Sequence, residues 1–110
     1  GKIDQALEAC NEALKIKPDF AEAYYNLGNL RHIQNKLDVA LEAYNKAITI
    51  KPDFAQAYNN MAITLKDQDK LEQAKEYYKK AISFKPDYAE AHRNLSAINK
   101  YNNINIAIPI

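Results

Sequence analysis

The sequence predicts an all-α protein, a row of helical hairpins stacked side by side, and three observations carry that expectation. The first is a repeat of 34 residues: Ala21–Phe54 (AEAYYNLGNLRHIQNKLDVALEAYNKAITIKPDF) returns as Ala55–Tyr88 (AQAYNNMAITLKDQDKLEQAKEYYKKAISFKPDY). Its first third returns once more as Ala89–Tyr101, and its last twenty residues precede it as Gly1–Phe20. The second is the apolar spacing inside each copy, which has the helical period and does not alternate like a strand. The third is punctuation, with Pro18, Pro52 and Pro86 falling in phase. A fixed period of this length describes small units that bury their apolar faces only against one another.

Six helices follow in order, over about Lys2–Ile16, Ala21–Ile33, Leu37–Ile50, Ala55–Lys66, Leu71–Phe84 and Ala89–Lys100. The first belongs to half a unit, the next four to two complete hairpins, and the sixth opens a unit that does not close. In the first helix of each hairpin, Tyr24, Leu27 and Gly28 form an i, i+3, i+4 stripe, copied as Tyr58, Met61 and Ala62 and again as His92, Leu95 and Ser96. In the second, Leu37, Ala40, Leu41, Tyr44, Ala47 and Ile48 form a longer stripe, copied as Leu71, Ala74, Tyr77, Tyr78, Ala81 and Ile82. Each Lys-Pro-Asp segment stops a helix, because proline forces its predecessor out of the helical region and has no amide proton. Asp19/Glu22, Asp53/Gln56 and Asp87/Glu90 have capping-box spacing, so the aspartates are expected to cap the helices that follow. The inner turns Gln34-Asn35-Lys36 and Gln68-Asp69-Lys70 place Asn or Asp where a left-handed residue is expected.

Beyond the repeats (1–101), residues 102–110 break the pattern. Ile104, Ile106, Ile108 and Ile110 alternate with other residues, which predicts an extended tail. Two readings stay open for it, a frayed terminus or the start of a further domain, and isoleucines laid over apolar surface. The array ends are expected to be cut faces, with Leu7, Cys10 and Leu14 uncovered at the front and Leu95 and Ile98 partly uncovered at the back. Each large side chain left wet forgoes about 1.5–3 kcal/mol, so the ends are expected to meet further sequence, a second copy or the tail.

Composition narrows the function classes. A chain of 110 residues with 47% apolar content makes one domain, and a formal net charge of +1 gives no footprint for nucleic acid or an anionic membrane. No apolar run approaches membrane-spanning length. Cys10 is the only cysteine; an internal disulfide is excluded, and a cytoplasmic location is the mild expectation. There is no glycine-rich phosphate loop, since the two glycines are Gly1 and Gly28. His32 and His92 lie 60 residues apart, which argues against a metal site. Cys10 reads as a buried small residue and not as a nucleophile. Lys75, Lys79 and Lys80 interleave with Glu72 and Glu76 on an outer face. No catalytic constellation or cofactor site is expected, and the chain is not expected to be an enzyme.

The repeats resemble the tetratricopeptide repeat (TPR). Its pattern of an aromatic, Leu-Gly, Tyr, Ala, an aromatic and a closing Pro is filled by Tyr24, Leu27-Gly28, Ala40, Tyr44, Ala47 and Pro52. Tyr58, Met61-Ala62, Ala74, Tyr78, Ala81 and Pro86 fill it again. Arg31, Leu65 and Asn99 depart from it where Tyr is usual. The resemblance implies a right-handed α-α superhelix, two full repeats (21–54 and 55–88) flanked by half repeats (1–20 and 89–101). It further implies a concave groove lined by the first helix of each hairpin, and a scaffold that binds protein.

That groove assigns peptide-binding residues: Tyr25, Asn26 and Asn29 on one helix, Asn59, Asn60 and Ile63 on the next, Arg93 and Asn94 on the last. Glu22, His32, Gln56, Lys66, Glu90, Ala97 and Lys100 share the face. Asn26, Asn60 and Asn94 recur once per repeat, and an asparagine amide can pair with a peptide's C=O and N–H together. With helices about 8–10 Å apart and an extended chain rising about 3.3 Å per residue, one asparagine would meet a ligand backbone about every third residue. The alternative is that these amides bond neighbouring turns. The asparagine row resembles the superhelical arm of O-linked N-acetylglucosamine transferases, which implies a second possible role, a substrate-targeting arm ahead of a glycosyl- or sulfotransferase. The co-chaperone subclass that clamps acidic C-termini is a poorer match. Asn29 and Asn60 fit it, but Tyr25 replaces a clamp lysine and Glu90 would repel the ligand. Self-assembly through the ends is a third possibility; nucleic acid and membrane are not expected partners.

Overall fold

The computed structural model describes the backbone of residues 1–107 and the side chains of residues 1–100. Among them are six helices and no strand: α1 (Lys2–Ile16), α2 (Ala21–Ile33), α3 (Leu37–Ile50), α4 (Ala55–Asp67), α5 (Leu71–Phe84) and α6 (Ala89–Ala107). Each helix packs on the next, and α2 also touches α4. The result is an all-α solenoid measuring 56 × 30 × 19 Å. Its radius of gyration of 15.4 Å exceeds the roughly 13 Å of a globule of this size, as stacking in one direction requires.

Small residues set the helix spacing. Ala40, Ala47, Ala57, Ala62, Ala74, Ala81 and Ala91 are fully buried, and between them sit Tyr44 and Tyr78, the largest buried side chains. Gly28 shows how tight the seam is. A Cβ there would lie 2.5 Å from Cε1 of Tyr44, so only glycine lets the ring rest on the α2 backbone. One unit later Ala62 takes the glycine place and Tyr78 is still completely buried.

The inner turns hold the expected left-handed residues, Asn35 at φ 60° and Asp69 at φ 63°. Each closes a Schellman motif. Asn35 N–H donates to His32 C=O at 2.8 Å and Lys36 N–H to Arg31 C=O at 2.9 Å, with Asp69 to Lys66 and Lys70 to Leu65 repeating both bonds.

The aspartate caps do not form. The N-caps of α2 and α4 are Phe20 and Phe54, with no side-chain cap. Pro and Asp instead occupy the middle of four-residue turns, closed by Phe20 N–H to Lys17 C=O at 3.2 Å, Phe54 to Lys51 at 3.1 Å and Tyr88 to Lys85 at 3.0 Å. Asp19, Asp53 and Asp87 therefore stand one residue too early to cap. Sequence reasoning also missed what the lysines do there. Lys17, Lys51 and Lys85 lie over Phe20, Phe54 and Tyr88 at 5.1, 4.8 and 4.8 Å, each contact being worth about 0.5–1 kcal/mol when exposed.

Two expectations about the ends need correction. The extended tail is not found over 102–107, because α6 continues as helix to Ala107. No glycine or proline intervenes before Pro109, and a helix already nucleated extends cheaply, which outweighs the alternating isoleucines. Residues 108–110, and the docking expected of the tail's isoleucines, lie outside the described residues. The cut faces are better covered than expected: Cys10 and Ile98 are buried, and Leu7, Leu14 and Leu95 are half-buried. The outward side of α6 carries exposed His92, Ser96 and Asn99, which water solvates readily. Ile16, 85% exposed, is the main apolar residue left wet at the front.

Two stability measurements check this picture. Gly28→Val is expected to cost about 1–3 kcal/mol in urea denaturation by overpacking Tyr44. Asn35→Ala is expected to cost about 1–2 kcal/mol for its left-handed backbone, while Asn35→Gly does not.

Candidate functional site

On the face shared by α2 and α4, four polar side chains are tied into one network. The Tyr44 hydroxyl, reaching from α3, donates to Asn29 Oδ1 at 2.5 Å. Asn60 Nδ2 donates to the same oxygen at 2.8 Å and to the Tyr25 hydroxyl at 3.0 Å. Tyr25 is held in turn by its ring, 4.9 Å from that of Phe54 and 6.2 Å from that of Tyr44. Beside the network lies a hollow of about 180 Å³ lined by Asn29, His32, Ile33, Tyr44, Asn60 and Ile63. His32 and Asp67 meet at 2.7 Å across α2 and α4.

The structure thus brings Tyr25, Asn29, Asn60 and Ile63 together. Asn26 is exposed on α2, Arg93 is exposed and Asn94 half-buried on α6. The expected uniform row of amides is broken, since Asn60 spends both amide hydrogens inside the protein. Asn59 does not belong to an open face at all. It is fully buried, its Nδ2 is 3.4 Å from Asn60 Oδ1, and its Oδ1 has no partner among the described residues. The reason is positional. Asn59 stands 34 residues after Tyr25, where the aromatic of the following turn covers it. Burial, then the charges of Glu90 and Tyr25, raise the pKa of that aromatic, Tyr88, while the Asn59 amide lowers it.

Sequence reasoning missed Ile33, which is 66% exposed at the mouth of the hollow, and Tyr44 as one of its walls. Ile33 follows Asn26 and Asn29 at i+7 and i+4, so helical phase alone could have placed it. His92 is not a metal ligand here; its Nε2 lies 2.8 Å from Pro86 C=O, the bond that the Tyr58 hydroxyl makes to Pro52 at 2.9 Å. Among the described residues no group of three or more His, Cys, Asp or Glu is placed to hold a metal ion. Burial pushes the Cys10 thiol up, away from the thiolate that a nucleophile needs. No helix among the described residues is long and apolar enough to cross a membrane.

The two core tyrosines differ in a way that matters. Burial first, then Tyr25, raise the Tyr44 hydroxyl far above its ordinary value, against the opposing Asn60 bond. Tyr78 is pushed up to about 12 by burial, then by the Asp67 and Glu90 carboxylates. Its hydroxyl has no partner among the described residues, because Ile63 stands where Asn29 stands one unit earlier.

Helices paired in this way, with a turn glycine or asparagine and a proline at a 34-residue period, define a helical-hairpin repeat protein. The comparisons agree. Two family models match, one described as TPR repeat over residues 1–33 and 28–69 and one as Tetratricopeptide repeat over 55–88. The chain belongs to the tetratricopeptide-repeat family. No curated protein is matched by the chain. Among solved structures it is similar to MamA, at 25% identity and a TM-score of 0.85 over 94% of this chain and 60% of that one. A second MamA structure shares 31% identity with a TM-score of 0.71, over 82% of this chain and 49% of that one. The chain thus spans less than two thirds of either. The first TPR of Spaghetti, bound to an HSP90 peptide, has 23% identity and a TM-score of 0.86 over 94% and 82% of the two chains, a likeness of fold. The O-GlcNAc transferase of Thermobaculum terrenum has 26% identity and a TM-score of 0.83, over 89% of this chain and 19% of that one. The resemblance to the transferase repeats therefore stands.

The tyrosines supply a test. Tyr44→Phe is expected to cost about 1 kcal/mol, since it removes a made bond, whereas Tyr78→Phe is expected to cost nothing or to stabilise. A tyrosine whose folded pKa exceeds its unfolded value near 10 lends stability that is complete below pH 10 and lost as pH rises through the folded pKa. Denaturation midpoints are therefore expected to fall between pH 10 and about 12, and less steeply in Tyr78→Phe.

Proposed function

We propose that this chain is a protein-interaction module that holds an extended peptide along the face shared by α2, α4 and α6, without chemistry of its own. A TPR solenoid is a protein-interaction scaffold, and the peptide is the finer step. The observation that carries it is the open polar surface beside the hollow. Asn26 and Asn94 have no side-chain hydrogen bond among the described residues, and Arg93 adds a free donor set next to Asn94. Polar groups placed along a partly apolar wall fix the orientation of a ligand while apolar contact supplies affinity.

A second reading keeps the same surface and changes its setting: the repeats hold substrate polypeptide for a modifying domain of a longer protein. The likeness to the repeat part of the O-GlcNAc transferase supports it. Assembly through the ends has weaker support, because Cys10 and Ile98 are buried and the outward side of α6 is polar.

Peptides selected on the full chain from a random dodecapeptide library provide the test. Asn26→Ala, Arg93→Ala and Asn94→Ala combined are expected to weaken the selected peptides at least about tenfold with an unchanged helical circular dichroism spectrum. Unaltered affinity would sink this reading.

A further inference from the structure

We infer that Asn29 and Asn60 act as one composite reader of a single ligand peptide group, set beside a pocket for one aliphatic side chain; this rests on the peptide-binding reading above. The hydrogen-bond count assigns the atoms. Asn29 Oδ1 already accepts from Tyr44 at 2.5 Å and from Asn60 at 2.8 Å. Asn60 Nδ2 gives its two hydrogens to that oxygen and to Tyr25 at 3.0 Å. What remains is a donor, Asn29 Nδ2, and an acceptor, Asn60 Oδ1, which takes only the long 3.4 Å approach from Asn59.

A donor and an acceptor side by side are the complement of a peptide C=O and N–H. A carboxylate offers acceptors alone and an ammonium donors alone, so neither satisfies both atoms. The surroundings specify the neighbouring side chain. Ile33 and Ile63 wall the 180 Å³ hollow, and Ile33 is 66% exposed, waiting for apolar cover. His32 and Asp67, 2.7 Å apart, answer each other at its inner-turn end. That leaves no unbalanced charge to attract a charged residue, and the volume suits a valine, leucine or isoleucine. The reader occurs once, because Ile63 and Ala97 stand where Asn29 stands in the following units.

The selected dodecapeptides are the probe. They are expected to share one aliphatic position, and N-methylation of the adjoining amide is expected to weaken them about tenfold or more, as is Ile33→Ala. Asn29→Asp keeps an oxygen for Tyr44 and Asn60 but turns the free donor into an acceptor, and the same loss is expected with the thermal midpoint little changed. Peptides that bind equally well after all three changes, yet are weakened by the combined Asn26, Arg93 and Asn94 substitutions, would overturn the composite reader and leave the groove reading standing. Peptides insensitive to both sets of changes, or a library that yields none, would overturn both.

Discussion

The packing of one tyrosine ring against the backbone of the preceding helix is the constraint on which the rest depends. Tyr44 needs the bare backbone of Gly28, where a Cβ would come within 2.5 Å. That closeness carries its hydroxyl through the hairpin to Asn29 on the far face of α2. The core thus reaches the candidate binding surface directly. A side chain that fills the solenoid also orients an amide that faces outward, so packing energy and ligand geometry share one residue. In the next unit the ring is buried just as deeply beside Ala62, but Ile63 gives its hydroxyl nothing to bond. The two repeats have the same backbone plan and different surfaces.

Most of the architecture was legible because its causes are local and repeated. Proline at Pro18, Pro52 and Pro86, left-handed Asn35 and Asp69, and apolar stripes at helical spacing each act within a few residues, and three copies in phase leave little ambiguity. Helix limits follow at all but two ends. What failed was chemistry that depends on one residue's offset. The aspartates looked like caps because capping-box spacing was satisfied, but the turn closes around them and hands the cap place to Phe20 and Phe54. Residues 102–107 looked extended because isoleucines alternate, yet a pattern of side chains does not stop a helix that no residue breaks.

The candidate site was legible only in outline. Helical phase put Tyr25, Asn26, Asn29, Asn60 and Ile63 on one face, and that grouping is what the coordinates contain. Phase could not tell that Asn59 is sealed under the aromatic of the following turn, since that depends on how far neighbouring units are rotated against each other. Nor could it tell which hydrogen of which amide is spent internally. Those facts belong to contacts between residues about 30 apart in sequence, such as Asn60 with Tyr25 and Asn29, and composition holds no trace of them.

The change from Asn29 to Ile63 to Ala97 along equivalent positions has a mechanical meaning. A floor built of identical steps would let a threaded strand slip by one unit and lose nothing, as a rack lets a pinion advance by one tooth. Here each step differs from the last, so a strand displaced by one unit forfeits its partners. A partner would consequently be held at a single phase and with a fixed direction of travel between α2 and α6.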